Sequence, residues 1–224
     1  LVTGGAGGIG SETCRRLARD GFRVLAADLA LDASRRERFE ASMGDVDVAF
    51  LPMDVTDAAS CEAAIASARA SHGEIDVLVN AAGITRDATL AKMPREDWDA
   101  VLRVNLDPAF VLCQLVSPGM AARGWGRIVN IASVNGQTGQ FGQTNYAAAK
   151  AGLHGFTMAL ARELARKGVT VNTVSPGYIR TPMTDAMPEA ARERALAAVP
   201  MGRIGEPADV AAAVSFLCRE DAAY

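Results

Sequence analysis

Short runs of aliphatic and β-branched residues alternate along the chain with longer stretches whose apolar positions recur at helical spacing. The runs FRVLAAD (22–28), VDVAFLPMD (46–54), IDVLVNAAG (75–83), GRIVNIAS (126–133) and VTVNTVSPG (169–177) predict strands, each ending in a small or polar residue. Helical patterns lie between them, at about 9–20, 57–72, 98–117, 144–167 and 206–218. Strands that are apolar almost throughout, separated by helices, predict an α/β fold: a doubly wound parallel sheet covered on both faces. No repeat, linker or composition break divides residues 1–224, so the pattern fits a single domain. In such sheets ligands bind beyond the carboxyl ends of the strands, where the strand order reverses. The most charged stretch, DASRRERFEASMGD (32–45), predicts a solvated loop or a short helix.

Two helical segments carry more than one buried face. Segment 98–117 places Trp98, Val101, Leu102, Val104, Leu106, Phe110, Val111, Leu112, Leu115 and Val116 around its circumference. The segment from 144 sets small residues, Ala147, Ala148, Ala151, Gly152 and Gly155, where another helix could approach. Covering both calls for a partner, so a homo-oligomer is expected.

Composition removes several classes of function. Charged residues make up 22% of the chain and the net charge is −3, with no basic excess to bind nucleic acid. No apolar run reaches the roughly 18 residues of a membrane helix, and no signal peptide is seen, so a cytoplasmic protein without membrane contact is expected. Cys14, Cys61, Cys113 and Cys218 stand far apart, without metal-ligand spacing, and read as buried, reduced thiols. With two histidines in the chain no metal site is expected, and His154 reads as a packed helix residue.

Two stretches carry candidate chemistry. Thr3-Gly4-Gly5-Ala6-Gly7-Gly8-Ile9-Gly10 lies between a strand end and a helix start. A turn stripped of side chains there lets a pyrophosphate reach the main chain and the positive end of the helix. Asp28 ends the next strand, where a carboxylate would accept hydrogen bonds from an adenosine ribose. Further on, Tyr146 and Lys150 stand four residues apart on one predicted helix face, and Ser133 ends the strand before them. A phenol, ordinarily near pKa ~10, becomes an acid–base catalyst when a neighbouring ammonium lowers that value.

The ordered set TGGAGGIG (3–10), Asp54-Val55, NAAG (80–83), Asn105, Ser133, YAAAK (146–150) and PGYIRTPM (176–183) resembles the short-chain dehydrogenases/reductases over nearly the whole chain. The resemblance implies a Rossmann fold of seven strands, a homotetramer, and hydride transfer with a nicotinamide cofactor. It implies Tyr146 as the acid/base, Lys150 as its pKa-lowering partner and ribose ligand, Ser133 as the donor to the substrate oxygen, and Asn105 as part of a proton relay. Cofactor contacts follow by the same match: Gly4, Gly8, Ile9 and Gly10 at the pyrophosphate, Asp28 at the ribose, and Asp54 and Val55 at the adenine. Asn80, Ala82 and Gly83 would lie beneath the cofactor, with Pro176, Gly177, Ile179 and Thr181 at the nicotinamide amide. Ala81 and Ala132 depart from the pattern, where many members have a second Asn and a second Ser. The chain opens late in the first strand and closes at SFLCREDAAY (215–224), where members continue into a last strand, so a longer chain is expected.

Asp28 repels a 2′-phosphate, which favours NAD(H); NADP(H) stays open because Arg35 and Arg36 lie just downstream. Segments 83–101 and 124–161 are similar to acetoacetyl-CoA reductases, which reduce a 3-oxoacyl thioester to its (R)-3-hydroxyacyl form and feed polyhydroxybutyrate synthesis. Gln140, Phe141 and Gln143, in the loop between Ser133 and Tyr146, and Tyr178 are the candidate acyl contacts. A 3-oxoacyl carrier-protein reductase is an alternative that needs a basic docking surface, with Arg123, Arg166 and Lys167 as candidates. A 3-hydroxybutyrate-type dehydrogenase and a non-catalytic nucleotide-binding scaffold complete the set.

Overall fold

The computed structural model describes residues 1–185 and 189–224. Six strands, β1 (Val2–Thr3), β2 (Val24–Asp28), β3 (Val48–Pro52), β4 (Val77–Asn80), β5 (Gly126–Ile131) and β6 (Val169–Val174), form one sheet in the order β3-β2-β1-β4-β5-β6. Every neighbouring pair is parallel. The order reverses at β1, which lies between β2 and β4, and the crevice this opens at the carboxyl edge receives the site.

Alternation along each strand feeds two cores, because successive side chains point to opposite faces. Leu25, Leu51, Leu78 and Ile128 pack with Ile65, Leu112 and Val116 on one side. Val24, Val77, Val79 and Val129 pack with Cys14, Leu17, Val210 and Val214 on the other. The covering helices are α1 (Gly8–Arg19), α2 (Ala33–Met43), α3 (Ala58–His72), α4 (Arg95–Asn105), α5 (Asp107–Arg123), the single turn α6 (Asn135–Thr138), α7 (Thr144–Leu164), α8 (Pro182–Asp185), α9 (Glu189–Ala197) and α10 (Pro207–Cys218). All four cysteines are free and buried, as their spacing suggests, and burial pushes the thiols of Cys14, Cys113 and Cys218 up to about 12.

Of the two forms expected for the charged stretch 32–45 the helix is found, over 11 residues, with Asp32 capping it through a 2.8 Å bond from the Arg35 amide. Only Phe39 and Met43 are buried there, which is why its apolar pattern is faint. The single helix expected over 98–117 is two helices, broken at Leu106. Pro108 supplies the physical reason, since its ring removes a backbone donor and clashes with a preceding helical turn. By length and hydropathy alone, Arg95–Arg123 would suffice to cross a membrane, contrary to the reading of the apolar runs. In the fold it breaks at Leu106, and Val101, Leu112, Val116 and Met120 are buried in the protein core. The described residues form six strands of the seven that the resemblance implies. His154 is half-buried and polar in its contacts: its Nε2 lies 3.3 Å from Ser175 Oγ.

Candidate active site

The glycine turn is shaped by close approach. Gly4 has φ +63°, and a Cβ there would stand 2.9 Å from the Cα of Ala82. A Cβ on Gly10 would overlap the Gly4 carbonyl oxygen, so the loop and the first turn of α1 can nest only without side chains. Thr3 Oγ1 accepts from the amides of Ala81 and Ala82 at 3.0 and 3.2 Å, stitching the β1 turn to the β4 turn. Gly7 caps α1 with no side-chain hydrogen bond, which leaves the first-turn amides open to an anion.

These turns floor a cavity of about 500 Å³ at the carboxyl edge of the sheet. Gly4, Gly8, Ile9, Gly10, Asp28, Asp54, Val55, Ala82 and Gly83 line it, together with Ser133, Tyr146, Lys150, Pro176, Gly177, Ile179 and Thr181. Leu29, Met53, Ile84 and Thr184 also line it and were missed in the sequence; each directly adjoins a recognised residue or motif, which was the available signal. Thr184 Oγ1 donates to the Ile179 carbonyl at 2.7 Å and accepts from the Thr181 amide at 2.8 Å, fixing that wall.

Asp28 is anchored where the ribose carboxylate was expected. Its Oδ2 accepts from the Ala6 amide in the glycine turn at 3.1 Å, and its Oδ1 from the Leu29 amide at 2.8 Å. Arg35 approaches Oδ1 to 3.9 Å. Asp54 spends its carboxylate on the turn that enters α3, accepting from the amide and hydroxyl of Thr56 at 2.9 and 2.7 Å.

At the other end α7 projects Tyr146 and Lys150 toward Ser133. Lys150 is 4% exposed and donates to the Ile131 carbonyl at 2.7 Å. Burial alone lowers its ammonium to about 8. Tyr146 departs from the sequence expectation: its phenol is raised, not lowered. Burial is the main cause, a hydrogen bond from Ser133 opposes it, and the nearby Asp87 carboxylate adds to it. The lysine therefore does not set the direction in this state, because desolvation acts on both groups.

Asn105, at the last turn of α4, donates to the carbonyls of Val101 and Ile84 at 2.8 and 3.0 Å, while its Oδ1 is buried without a partner among the described residues. That oxygen and Lys150 Nζ converge on Gly83, whose absent Cβ would stand 2.8 Å from the one and 3.7 Å from the other. Asn80 does not line the cavity. It turns into the sheet, where its Nδ2 donates to Asn130 Oδ1 at 2.8 Å.

The candidate acyl contacts lie outside the cavity wall. Gln140 and Phe141 are exposed on the loop after α6, Phe141 by 86%. Tyr178 is half-buried in the following turn. Gln143 is already engaged at both ends of its amide: Oε1 accepts from Asn135 at 2.9 Å, and Nε2 donates to Asp87 at 2.9 Å. Asn145, which the sequence did not single out, donates to the carbonyl of Arg86 at 3.0 Å and ties the same loop to α7.

The sequence profile of the short chain dehydrogenase family matches residues 1–192. An acetoacetyl-CoA reductase of Cupriavidus necator is 51% identical over 225 residues, which cover 100% of this chain and 91% of that protein. An acetoacetyl-CoA reductase of Allochromatium vinosum is 48% identical over 226 residues, covering 100% and 92%. A 3-oxoacyl-[acyl-carrier-protein] reductase of Thermotoga maritima is 46% identical over 227 residues, covering 100% and 91%. With a glycine cradle at the switch point of a parallel sheet, and Ser133, Tyr146 and Lys150 around one cavity, the chain belongs to the short-chain dehydrogenase family.

Proposed function

We propose that this protein reduces a 3-oxoacyl thioester, acetoacetyl-CoA foremost, to the (R)-3-hydroxyacyl thioester. The observation that carries the reading is the convergence of Ser133, Tyr146 and Lys150 on the same cavity that the glycine cradle lines. A nicotinamide cofactor, when bound, supplies the hydride. Its fit is supported by the side-chain-free turn under α1 and by the Asp28 carboxylate at the far end.

The chain's own groups handle the proton. Burial keeps the Tyr146 phenol protonated at neutral pH, which is the form that donates to a carbonyl oxygen during reduction. Ser133 Oγ would hydrogen-bond that same oxygen and stabilise the charge that develops on it. Lys150, fixed on Ile131, carries its charge below about pH 8 and has further donors for ribose hydroxyls. The free Asn105 Oδ1 beside it would accept in a relay that returns a proton to Tyr146.

NAD(H) is the favoured cofactor. A 2′-phosphate would face Asp28, whose two oxygens already hold the turn, while NADP(H) would require Arg35 to leave that carboxylate.

The thioester is preferred over a free acid on charge. Among the described residues Lys150 is the only cationic side chain lining the cavity, and it is committed to the catalytic wall. Asp87, on the rim beside Gln143, would oppose a substrate carboxylate. Carrier-protein reduction is the second reading, favoured by the Thermotoga relative. The expected docking cations argue against it: Arg123 pairs with Glu74 and Asp76 at 3.2 and 2.9 Å. Arg123, Arg166 and Lys167 all precede strand starts, at the sheet edge opposite the site. For assembly the proposal is a cytoplasmic homotetramer built on α5 and α7, whose Phe110 and Met158 are exposed. Chiral analysis of the product from acetoacetyl-CoA and NADH tests the reaction. (R)-3-hydroxybutyryl-CoA is expected, and the (S) product or no product would refute it.

A further inference from the structure

Helix α7 meets the sheet through a stripe that includes Ala149, Lys150, Leu153 and Thr157. Apolar members of such a stripe fill space but tolerate sliding, whereas hydrogen bonds hold a fixed length and direction. Two polar anchors stand on the stripe. Lys150 Nζ donates to the Ile131 carbonyl at 2.7 Å, and seven residues along, about two turns on the same face, Thr157 Oγ1 accepts from Asn130 Nδ2 at 2.8 Å. The two acceptor and donor positions on the sheet, Asn130 and Ile131, are consecutive residues of β5.

Asn130 is fully buried and used at both ends of its amide. Its Oδ1 accepts from Asn80 Nδ2 at 2.8 Å, and Asn80 stands opposite it in the β4–β5 register. Asn80 in turn precedes the Ala81-Ala82-Gly83 turn that floors the cavity. One buried chain, Asn80–Asn130–Thr157, therefore joins the cavity floor, the strand that ends at Ser133, and the helix that carries Tyr146 and Lys150. Three apolar side chains could fill this volume without desolvating any polar group, so the chain's distinctive contribution is register.

We propose that Asn130 and Thr157 are positioning residues, which lock α7 on the sheet so that Tyr146 and Lys150 face Ser133 and the cavity. Lys150 must share its donors between Ile131 and a ribose, and the Thr157 anchor holds the helix while it does so. The proposal rests on the Tyr146–Lys150 assignment and is independent of which acyl carrier is used.

Thr157→Val and Thr157→Ser test it. Valine keeps the shape and removes the acceptor; serine keeps the hydroxyl and removes a methyl. For Thr157→Val the expected result is a loss in kcat of roughly tenfold or more with little change in acyl KM, since small misplacements of reacting groups are costly. Nucleotide affinity should weaken several-fold, and the basic limb of the kcat–pH profile should move up as Lys150 loses its buried post. Thr157→Ser should restore all three. If valine proves too unstable to purify, Thr157→Ala carries the same expectations. Should the parent not turn over acetoacetyl-CoA, the proposed substrate is wrong, and nucleotide affinity in the same variants still decides the positioning role. A Thr157→Val protein that loses only thermal stability, with parental affinity and pH profile, would overturn the proposal. So would a serine variant as impaired as the valine one.

Discussion

Lys150 Nζ stands over the Tyr146 ring, 5.6 Å from its centroid, while its hydrogen bond goes to the Ile131 carbonyl. The lysine is thus positioned by the backbone of β5 and reaches the phenol through space. Burial then moves the two groups in opposite directions, the ammonium down to about 8 and the phenol up.

This ordering sets a pH dependence. Reduction requires a protonated Tyr146 and a charged Lys150, so kcat for reduction should be flat near neutrality and fall as pH rises through about 8. Oxidation of the hydroxyacyl product requires the phenolate, and because burial raises the phenol it should rise only at more alkaline pH than the fall in reduction. Full pH–rate profiles in both directions check this, and a reduction rate that climbs above pH 8 would contradict it. Asp87→Asn removes one cause of the raised phenol and should shift the oxidation profile to lower pH.

Lys150 also bears on stability. The folded protein releases this proton near 8, whereas the unfolded chain holds it to the ordinary lysine value of 10.5. The unfolded state therefore binds more protons between those values, so the lysine's burden is full below pH 8 and fades as pH rises to 10.5. Lys150→Met should be inactive yet more stable at pH 7, by on the order of 2 kcal/mol after a lost hydrogen bond is allowed for. Urea unfolding at pH 7 and pH 10 measures the difference, which should shrink at the higher pH.

Gly83→Ala tests the convergence beneath the cavity. The added methyl would stand 2.8 Å from Asn105 Oδ1, so Asn105 must move, and it stands beside Lys150. A fall in kcat of roughly tenfold or more is expected, because catalysis is sensitive to displacements of this size. Steady-state kinetics with unchanged circular dichroism would establish it; parental kcat would show that the Asn105 oxygen has no part in turnover.

Asp28→Ala should weaken NADH more than NADPH, narrowing the preference between them by roughly tenfold, as a ribose-binding carboxylate and a phosphate-repelling charge are lost together. The Ala6 amide also loses its acceptor, so some loss of affinity for both is expected. An unchanged ratio of the two kcat/KM values would remove Asp28 from cofactor selection.

What the sequence revealed follows from how local each feature is. The glycine turn, Asp28 and the Tyr146–Lys150 spacing were legible because each is fixed by neighbours on one strand end or one helix face. The break at Leu106 was signalled by Pro108 but hidden under an unbroken apolar pattern. Helix α2 was obscured because its charged residues outnumber the two that it buries. Long-range polar contacts left no trace: Gln143 meets Asp87, and Asn130 meets Thr157, only after the sheet assembles. The raised phenol was misjudged for a related reason, since burial depends on the whole fold and the Tyr–Lys spacing suggested only the opposing charge.

The most direct test compares kcat/KM for acetoacetyl-CoA and for free acetoacetate, each with NADH and with NADPH. The account expects efficient thioester reduction with NADH ahead of NADPH, and free acetoacetate slower by orders of magnitude. Efficient turnover of the free acid with no turnover of the thioester would contradict it and place the protein among dehydrogenases of free hydroxy acids.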